Sequence, residues 1–471
     1  MSGEIGANYD QVFLLPPSIE DWVGRDNPAR FVRELVEALD LRALGFRQRP
    51  SEEGRPAYAN DLLLKVWLYG YVKGMRSTRE LERGCREHLP LIWLTGCHEL
   101  DHCTLWRFWH ANRKALRQVF RSAVKVAAEQ GLIGMFCHAV DGTKIRAASS
   151  RRTVEHRKDL EKLLARVEAG LGETEAAVEA AEKTEREEDR LPAKLQGAEK
   201  LRAAIRESLQ KMDAAERDHL HPQEPEARLM PCEGRNDPAY NAQAVADEKA
   251  GILVAQRAVN AESDHAQLVP MLEEVKANLG EVAAETVADG GYSTSQQLAE
   301  AEARGYEVLV APGPESGGVK RGEYDAANFS HDPEGDEVIC PQGARLKFRG
   351  LRKKGGKRAA VRTYQCTAYA QCAVRALCSR GRRGRRIEIS PQRAALARQA
   401  AKRGDPAKQA RLRQRKAIIE PVFATLKQAM GFRRWTVRGL ENVRTQWALL
   451  CTAFNLKKIY QHWAAGALAP A

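Results

Sequence analysis

The strongest constraint on the fold is a change of apolar period between residues 136 and 311. Phe136-Cys-His-Ala-Val140 is a short apolar run that stops at Asp141-Gly142, which predicts a buried strand with an acid at its C-terminal end. Residues 240–247 alternate, Glu248-Lys-Ala-Gly251 has turn chemistry, and residues 252–255 return as a second strand. Leu268, Met271, Leu272 and Val275 then recur at helical spacing. Glu285-Thr-Val-Ala288 is another apolar run, and it too ends in Asp-Gly, as Asp289-Gly-Gly291. A helix over 296–304 and a strand over 306–311 complete the series. The order is strand, hairpin strands, helix, strand, helix, strand, which predicts an α/β unit.

The flanking segments read differently. Residues 1–135 are helical in pattern, with Phe31, Leu35, Val36 and Leu39 in one run and Leu62, Leu63, Val66, Trp67 and Tyr71 in another. The turn-rich stretch 50–56 separates them. Residues 153–221 are rich in Glu, Lys, Arg and Ala. Leu160, Leu163, Leu164, Val167 and Leu171, and later Leu201, Ile205, Leu209 and Met212, follow helical spacing. Leu191-Pro192 breaks the run, so a helical hairpin with arms about 40 Å long is expected, inserted after the first strand. Residues 312–405 are Gly-rich and basic, with no acidic residue between Glu337 and Glu388. From 406 to 463 the pattern is helical again. A chain of 471 residues exceeds one ordinary core and predicts two or three packed units.

Charge bears on partners. The formal net charge is +13, which favours an anionic polymer, most often nucleic acid. A single-sign segment such as 338–387 repels itself unless an anion neutralises it, and a phosphate backbone is the natural partner. No run of about 18 apolar residues exists, and the start MSGEIGANYD has no basic-then-apolar leader. The expected compartment is the cytoplasm, with association to the nucleoid and no membrane partner. In that compartment the ten cysteines are free thiols or metal ligands, not a disulfide framework.

Paired acids at strand ends suit phosphodiester chemistry. Breaking or transferring that bond needs a strong oxygen nucleophile and charge relief on the leaving oxygen, which two divalent ions about 3.5–4 Å apart supply. A few carboxylates anchor such ions, best from a rigid sheet. One Asp-Gly alone is also what a hairpin turn uses. Two of them in this order, followed by Glu420, narrow the reading.

The motifs around these acids resemble the DDE transposases of bacterial insertion sequences. They are Val140-Asp-Gly-Thr-Lys-Ile-Arg-Ala147, Ala288-Asp-Gly-Gly-Tyr-Ser293 and Ile419-Glu-Pro-Val-Phe-Ala-Thr-Leu-Lys427, then Gly431-Phe-Arg-Arg-Trp435 and Asn455-Leu-Lys457. Upstream, Gly54-Arg-Pro-Ala-Tyr58, Arg76-Ser-Thr-Arg-Glu-Leu81 and Asp101-His-Cys-Thr-Leu-Trp-Arg-Phe108 are similar to the N-terminal domain of the same group. The resemblance runs from about residue 10 to 460. It implies a ribonuclease H-like α/β core, the order already read from the residues. An all-α DNA-binding domain would occupy 1–135. The core would begin at 136–311, with the helical hairpin 153–221 inserted. A basic Cys-containing insertion, 312–405, would precede the last helix, and 406–463 would complete the core.

The resemblance also implies a site. Asp141, Asp289 and Glu420 would be the catalytic, metal-binding triad for two Mg²⁺ or Mn²⁺ ions. Basic neighbours of Glu420 would hold DNA: Arg415, Lys416, Lys427, Arg433 and Arg434. In a straight helix Lys416, Glu420 and Lys427 share one face. Two departures from the family pattern bear on this. Arg413 stands at the usual tyrosine spacing, and the usual arginine is replaced by Lys416 or displaced to Arg415. Pro421 follows Glu420 directly, which predicts a kink or a helix start there. The implied partners are double-stranded DNA with terminal inverted repeats, target DNA and a second copy of the chain in a homodimer.

Cys340, Cys366, Cys372 and Cys378 are candidate ligands of a structural Zn²⁺ in the basic insertion, although their spacing is not paired Cys-x-x-Cys. The functional expectation is metal-dependent strand cleavage and strand transfer at the ends of a mobile element. A non-catalytic DNA-binding protein, a domesticated or decayed copy, is the rival. A simple nuclease on the same fold is the third reading.

Overall fold

The computed structural model describes residues 18–47, 57–182, 193–313, 322–324, 326–332, 334–352, 360–379, 381, 384–389 and 393–466. The turn at 50–56, the Leu191-Pro192 break and the basic residues 353–354 and 382–383 lie outside them. Helices α1 (Pro28–Glu37), α2 (Asn60–Lys73), α3 (Thr78–Glu87), α4 (Leu89–Leu94), α5 (His102–Ala111) and α6 (Arg113–Glu129) form the N-terminal region. Local signals start them: Asn27 caps α1 ahead of Pro28, Asp101 caps α5, and Ser77 and Glu80 make a reciprocal capping box on α3.

The chain then enters a mixed sheet. Its strands are β1 (Cys137–Arg146), then, past a small ladder of β2 (Glu155–His156) with a later partner, β4, β5, β6, β7 and β8. Between β1 and β4 stand α7 (Arg157–Glu182) and α8 (Ala193–Ala214), closed at their base by β3 (His219–Leu220) pairing with β2. Next come β4 (Arg228–Cys232), β5 (Arg235–Asp247), β6 (Leu253–Val259), α9 (Leu268–Leu279), β7 (Glu285–Ala288), α10 (Ser295–Ala303) and β8 (Val308–Val310). α7 and α8 pack on each other, and Leu160, Ile205, Met212 and Leu220 make the seam. The sheet order is β4-β5-β1-β7-β8, with β6 also on β5. β1 runs antiparallel to β5 and parallel to β7, and β7 is parallel to β8.

The sheet is covered on both faces. Ala139, Ile145, Ala242, Ala244, Val287 and Leu309 face one cluster. Val140, Val245, Ala288, Val308 and Val310 face another, built on α9 and α10. That is the period of two expected of strands.

The basic segment is a second sheet. Strands β9 (Ser330–Asp332), β10 (Glu337–Ile339), β11 (Arg345–Arg352), β12 (Val361–Cys366) and, after the short helix α11 (Arg375–Cys378), β13 (Arg386–Ile389) pair antiparallel in the order β13-β12-β11-β10-β9. Helices α12 (Arg393–Gly404), α13 (Pro406–Ala424) and α14 (Leu440–Ala464) follow. The expectation of an insertion before one last helix is corrected: three helices come after it. The first, α12, is already tied to the main sheet, because Gln399 bonds both Val310 N and Val308 O.

The last helix joins the regions. Its residues from Thr445 to Leu456 are buried without interruption, as expected of a helix enclosed on all sides. Asn455 satisfies both the N–H and the C=O of Leu253 at 2.9 and 2.8 Å, and Trp447 donates to Gln243 O at 3.0 Å. The N-terminal helices, α14 and one face of the sheet share a single apolar cluster. Among the described residues no helix is long and apolar enough to cross a membrane.

Candidate active site

Asp141 does not end its strand. β1 continues to Arg146 along β5, whereas its parallel pairing with β7 stops at Val140 opposite Ala288. The β7 side of β1 is therefore unpaired from Asp141 until Arg146, where Arg434 forms a parallel bridge. Asp289 is the residue after Ala288, with extended backbone at φ −79° and ψ 176°. Both aspartates thus stand just past the last paired residues of two adjacent parallel strands, at the same level. Strand parity sends both to the face covered by α13.

Glycine makes this geometry available. A Cβ on Gly290 would lie 2.1 Å from Pro312 O, and one on Gly142 would lie 2.2 Å from Gln243 Nε2. Both Asp-Gly pairs permit close approach, and the second also opens a 3-10 turn over Gly290–Tyr292. Backbone N–H groups hold the acids: Gly142 N donates to Asp141 Oδ1 at 2.7 Å, and Gly291 N to Asp289 Oδ1 at 2.8 Å.

One face of α13 decides which of its residues meet the sheet. Lys408 pairs with Glu285, Arg411 with Glu248 at 2.9 Å, and Arg415 with Asp141 Oδ2 at 2.8 Å. Ile419, Val422 and Leu426 continue the same stripe as buried apolar residues. The spacing, three or four residues each time, is that of one helix face. Glu420 is one position off the stripe and exposed. It lies about 140° around the axis from Arg415 and about 7.5 Å along it. Among the described residues, no three acidic, His or Cys side chains converge as metal ligands, so the expected triad is not drawn together here. The reason is electrostatic: Arg415 already faces Asp141, and a third carboxylate gains more from water than from two like charges.

The expected basic neighbours divide into two groups. Arg415 and Arg434 are engaged with the protein's own groups, Arg415 with Asp141 and the exposed Arg434 with the carbonyls of Ala147, Ala148 and Ser149. Lys416 and Arg433 are exposed and Lys427 is half-buried. Pro421 does not start the helix; it lies inside α13, and a π-helical turn follows over Thr425–Ala429. That wider turn takes Lys427 off the regular helical face it would share with Glu420. The Gly431-Phe-Arg-Arg-Trp435 motif is a clasp on β1. Trp435 Nε1 donates to Ile145 O at 3.1 Å and stacks edge-on with Phe432 at 5.1 Å. Arg76 donates to Met430 O and lies over Phe432 at 5.4 Å, so the upstream motif grips the same clasp.

A second polar cluster lies on the opposite face of the sheet. Asp264 accepts from Lys144 Nζ at 2.9 Å, Asn241 Nδ2 at 2.7 Å and Gln243 Nε2 at 2.6 Å. Tyr292 OH donates to Gln243, and His265 Nδ1 lies 2.8 Å from Gly291 O. This network braces the loop that carries Asp289. Asn241 and Gln243 were its sequence signal: two polar residues at same-face positions of an otherwise apolar strand.

The site carries excess negative charge. Burial, with repulsion from Asp289, pushes the Asp141 carboxyl above the usual range, against the opposing pull of Arg415 and the Gly142 N–H. Burial pushes the Tyr292 hydroxyl up, and the nearby Asp264, Asp141 and Asp289 push it further. Residues 339–460 match the family model described as a transposase DDE domain, and residues 17–111 match a transposase domain of the DUF772 type. Both matches indicate a DDE transposase of an insertion sequence. This transposase is therefore an enzyme of DNA transposition, with DNA as its partner and with divalent metal ions as the cofactor of its family. The DDE match includes Glu420 and the four cysteines but begins after Asp141 and Asp289. No curated protein is similar enough to be matched with the chain.

Proposed function

We propose that this transposase cleaves DNA strands at the ends of its insertion sequence and joins them to target DNA, with Asp141, Asp289 and Glu420 holding two Mg²⁺ or Mn²⁺ ions in a ribonuclease H-like core. The observation that carries the reading is the pair of aspartates just past the last paired residues of adjacent parallel strands, at one level, beside the helix that bears Glu420. Carboxylate oxygens are hard donors that suit these ions. A site where burial and a second carboxylate raise the Asp141 pKa despite Arg415 has room for more positive charge. When bound, such ions strengthen the attacking oxygen and take up charge on the leaving one.

The chain's own residues do the rest. Arg415 orients Asp141. The Asp264 network holds the Asp289 loop rigid from below, so that the carboxylate does not wander. Lys416, Lys427 and Arg433 would meet the phosphate backbone as sequence-independent contacts. The helical N-terminal region, residues 1–135, would read the terminal inverted repeats, and the active complex would be a homodimer. The test incubates the full chain, Mg²⁺ and DNA carrying its own element's ends. Wild type should cut and join strands, and Asp289→Ala should lose about 10²–10³-fold in rate or more. Equal cleavage by the two proteins would refute the triad, and cut ends that never join target DNA would reduce the activity to that of a nuclease.

A further inference from the structure

The basic insertion has little to hold it together. Phe329, Val338, Leu346, Tyr364, Ile387 and Ile389 are its buried apolar core, and a core of that size seldom suffices without a staple. Its topology brings four cysteines to one end. Cys340 opens the β10–β11 turn, where Gly343 N bonds Cys340 O at 2.8 Å and Cys340 N bonds Ala344 O at 2.9 Å. Cys366 closes β12 and pairs in register with Leu346, just past that turn. Cys372 and Cys378 lie on the connection from β12 to β13, with Cys378 N bonded to Val374 O at 3.0 Å. All four are half-buried, free of disulfides, and line one cavity of about 40 Å³ together with Tyr324 and Arg385.

We infer that Cys340, Cys366, Cys372 and Cys378 bind one structural Zn²⁺ and that this ion folds the basic insertion. Zinc takes four thiolates tetrahedrally at about 2.3 Å, and a cavity of this size leaves space for the sulfurs to close in. As placed, they ring the cavity without converging on one point, so binding draws them inward. The surroundings suit thiolates. Ala344 N donates to Cys340 Sγ at 3.2 Å. Four thiolates and one Zn²⁺ leave a charge of −2, which Arg385 and Arg375 at the cavity wall offset. Binding releases the thiol protons to solvent.

The test uses the full chain, expressed with zinc and purified without chelator. Elemental mass spectrometry should find about one zinc per chain, released when the thiols are alkylated. Replacement by Co²⁺ should give a thiolate-to-metal charge-transfer band and tetrahedral d–d bands. Cys372→Ser and Cys378→Ser should each weaken that band, and the double variant should abolish it. Cys97→Ser, at an exposed cysteine outside the cavity, and Asp289→Ala should leave it unchanged, which separates this site from the catalytic proposal. Wild-type protein without zinc, without a cobalt band and with all four thiols as reactive as Cys97 would overturn the inference, whatever the variants do.

Discussion

The sheet that carries Asp141 and Asp289 is covered on both faces, whereas the sheet of the basic insertion is not. In the first, Leu309, Val287 and Val308 are fully buried, and helices on either side cover the apolar residues of the central strands. In the second, β11 alternates poorly, and Phe348 and Leu351 are 37% and 65% exposed. The comparison teaches that strand pairing is common to both, but only the first converts it into a large apolar core. A rigid core suits acids that must hold their positions. A thin, cationic sheet suits contact with a phosphate backbone and needs another source of order, which the proposed zinc site would supply.

The same deletion in the two sheets should separate these modes most strongly. Leu309→Ala removes a fully buried side chain from the main core. It should lower global stability by about 2–5 kcal/mol, read as a shift of the main unfolding transition in urea. Leu346→Ala removes an equally buried leucine from the insertion. It should leave that transition in place and instead speed proteolysis or hydrogen exchange within 322–389. If Leu346→Ala moves the main transition as far as Leu309→Ala does, the insertion is part of the global core and the contrast fails.

The two sheets were also unequally legible in the sequence. Asp141 and Asp289 could be found because an apolar strand and an Asp-Gly pair are both local signals. The further run of β1 to Arg146 could not, because Gly142 and Lys144 interrupt the apolar pattern and only pairing with β5 holds that stretch in the sheet. The insertion strands were hidden because Arg and Lys fill their outward positions, leaving one apolar residue where a covered strand has two. The cysteines were visible by type but not by spacing, since Cys340 and Cys366 come together only through the β10–β11–β12 register. The orientation of Glu420 was not legible for another reason. Which face of α13 is buried depends on Glu285, Glu248 and Asp141, acids far away in sequence that meet Lys408, Arg411 and Arg415.

A smaller effect sharpens the contrast through pH. Glu274 lies on α9, against the covered sheet, and burial raises its carboxyl from 4.5 to about 7, with Arg257 and Arg117 pulling the other way. A carboxyl raised in the folded state holds its proton there more tightly than in the unfolded chain. Its cost is absent below pH 4.5, grows as pH rises, and is complete above pH 7. Glu274→Gln removes that cost. The variant should match wild type near pH 4 and exceed it near pH 8 by on the order of 1–3 kcal/mol, discounted because the side chain is only half-buried by area. The insertion should respond with the opposite sign, since thiolates that bind zinc must lose protons and hold it better as pH rises. Unfolding midpoints from pH 4 to 8, read beside insertion-specific exchange, test both slopes. A gain from Glu274→Gln that is the same at both ends of the range would mean the substitution acts through packing, and the pH contrast between the sheets would rest on the thiolates alone.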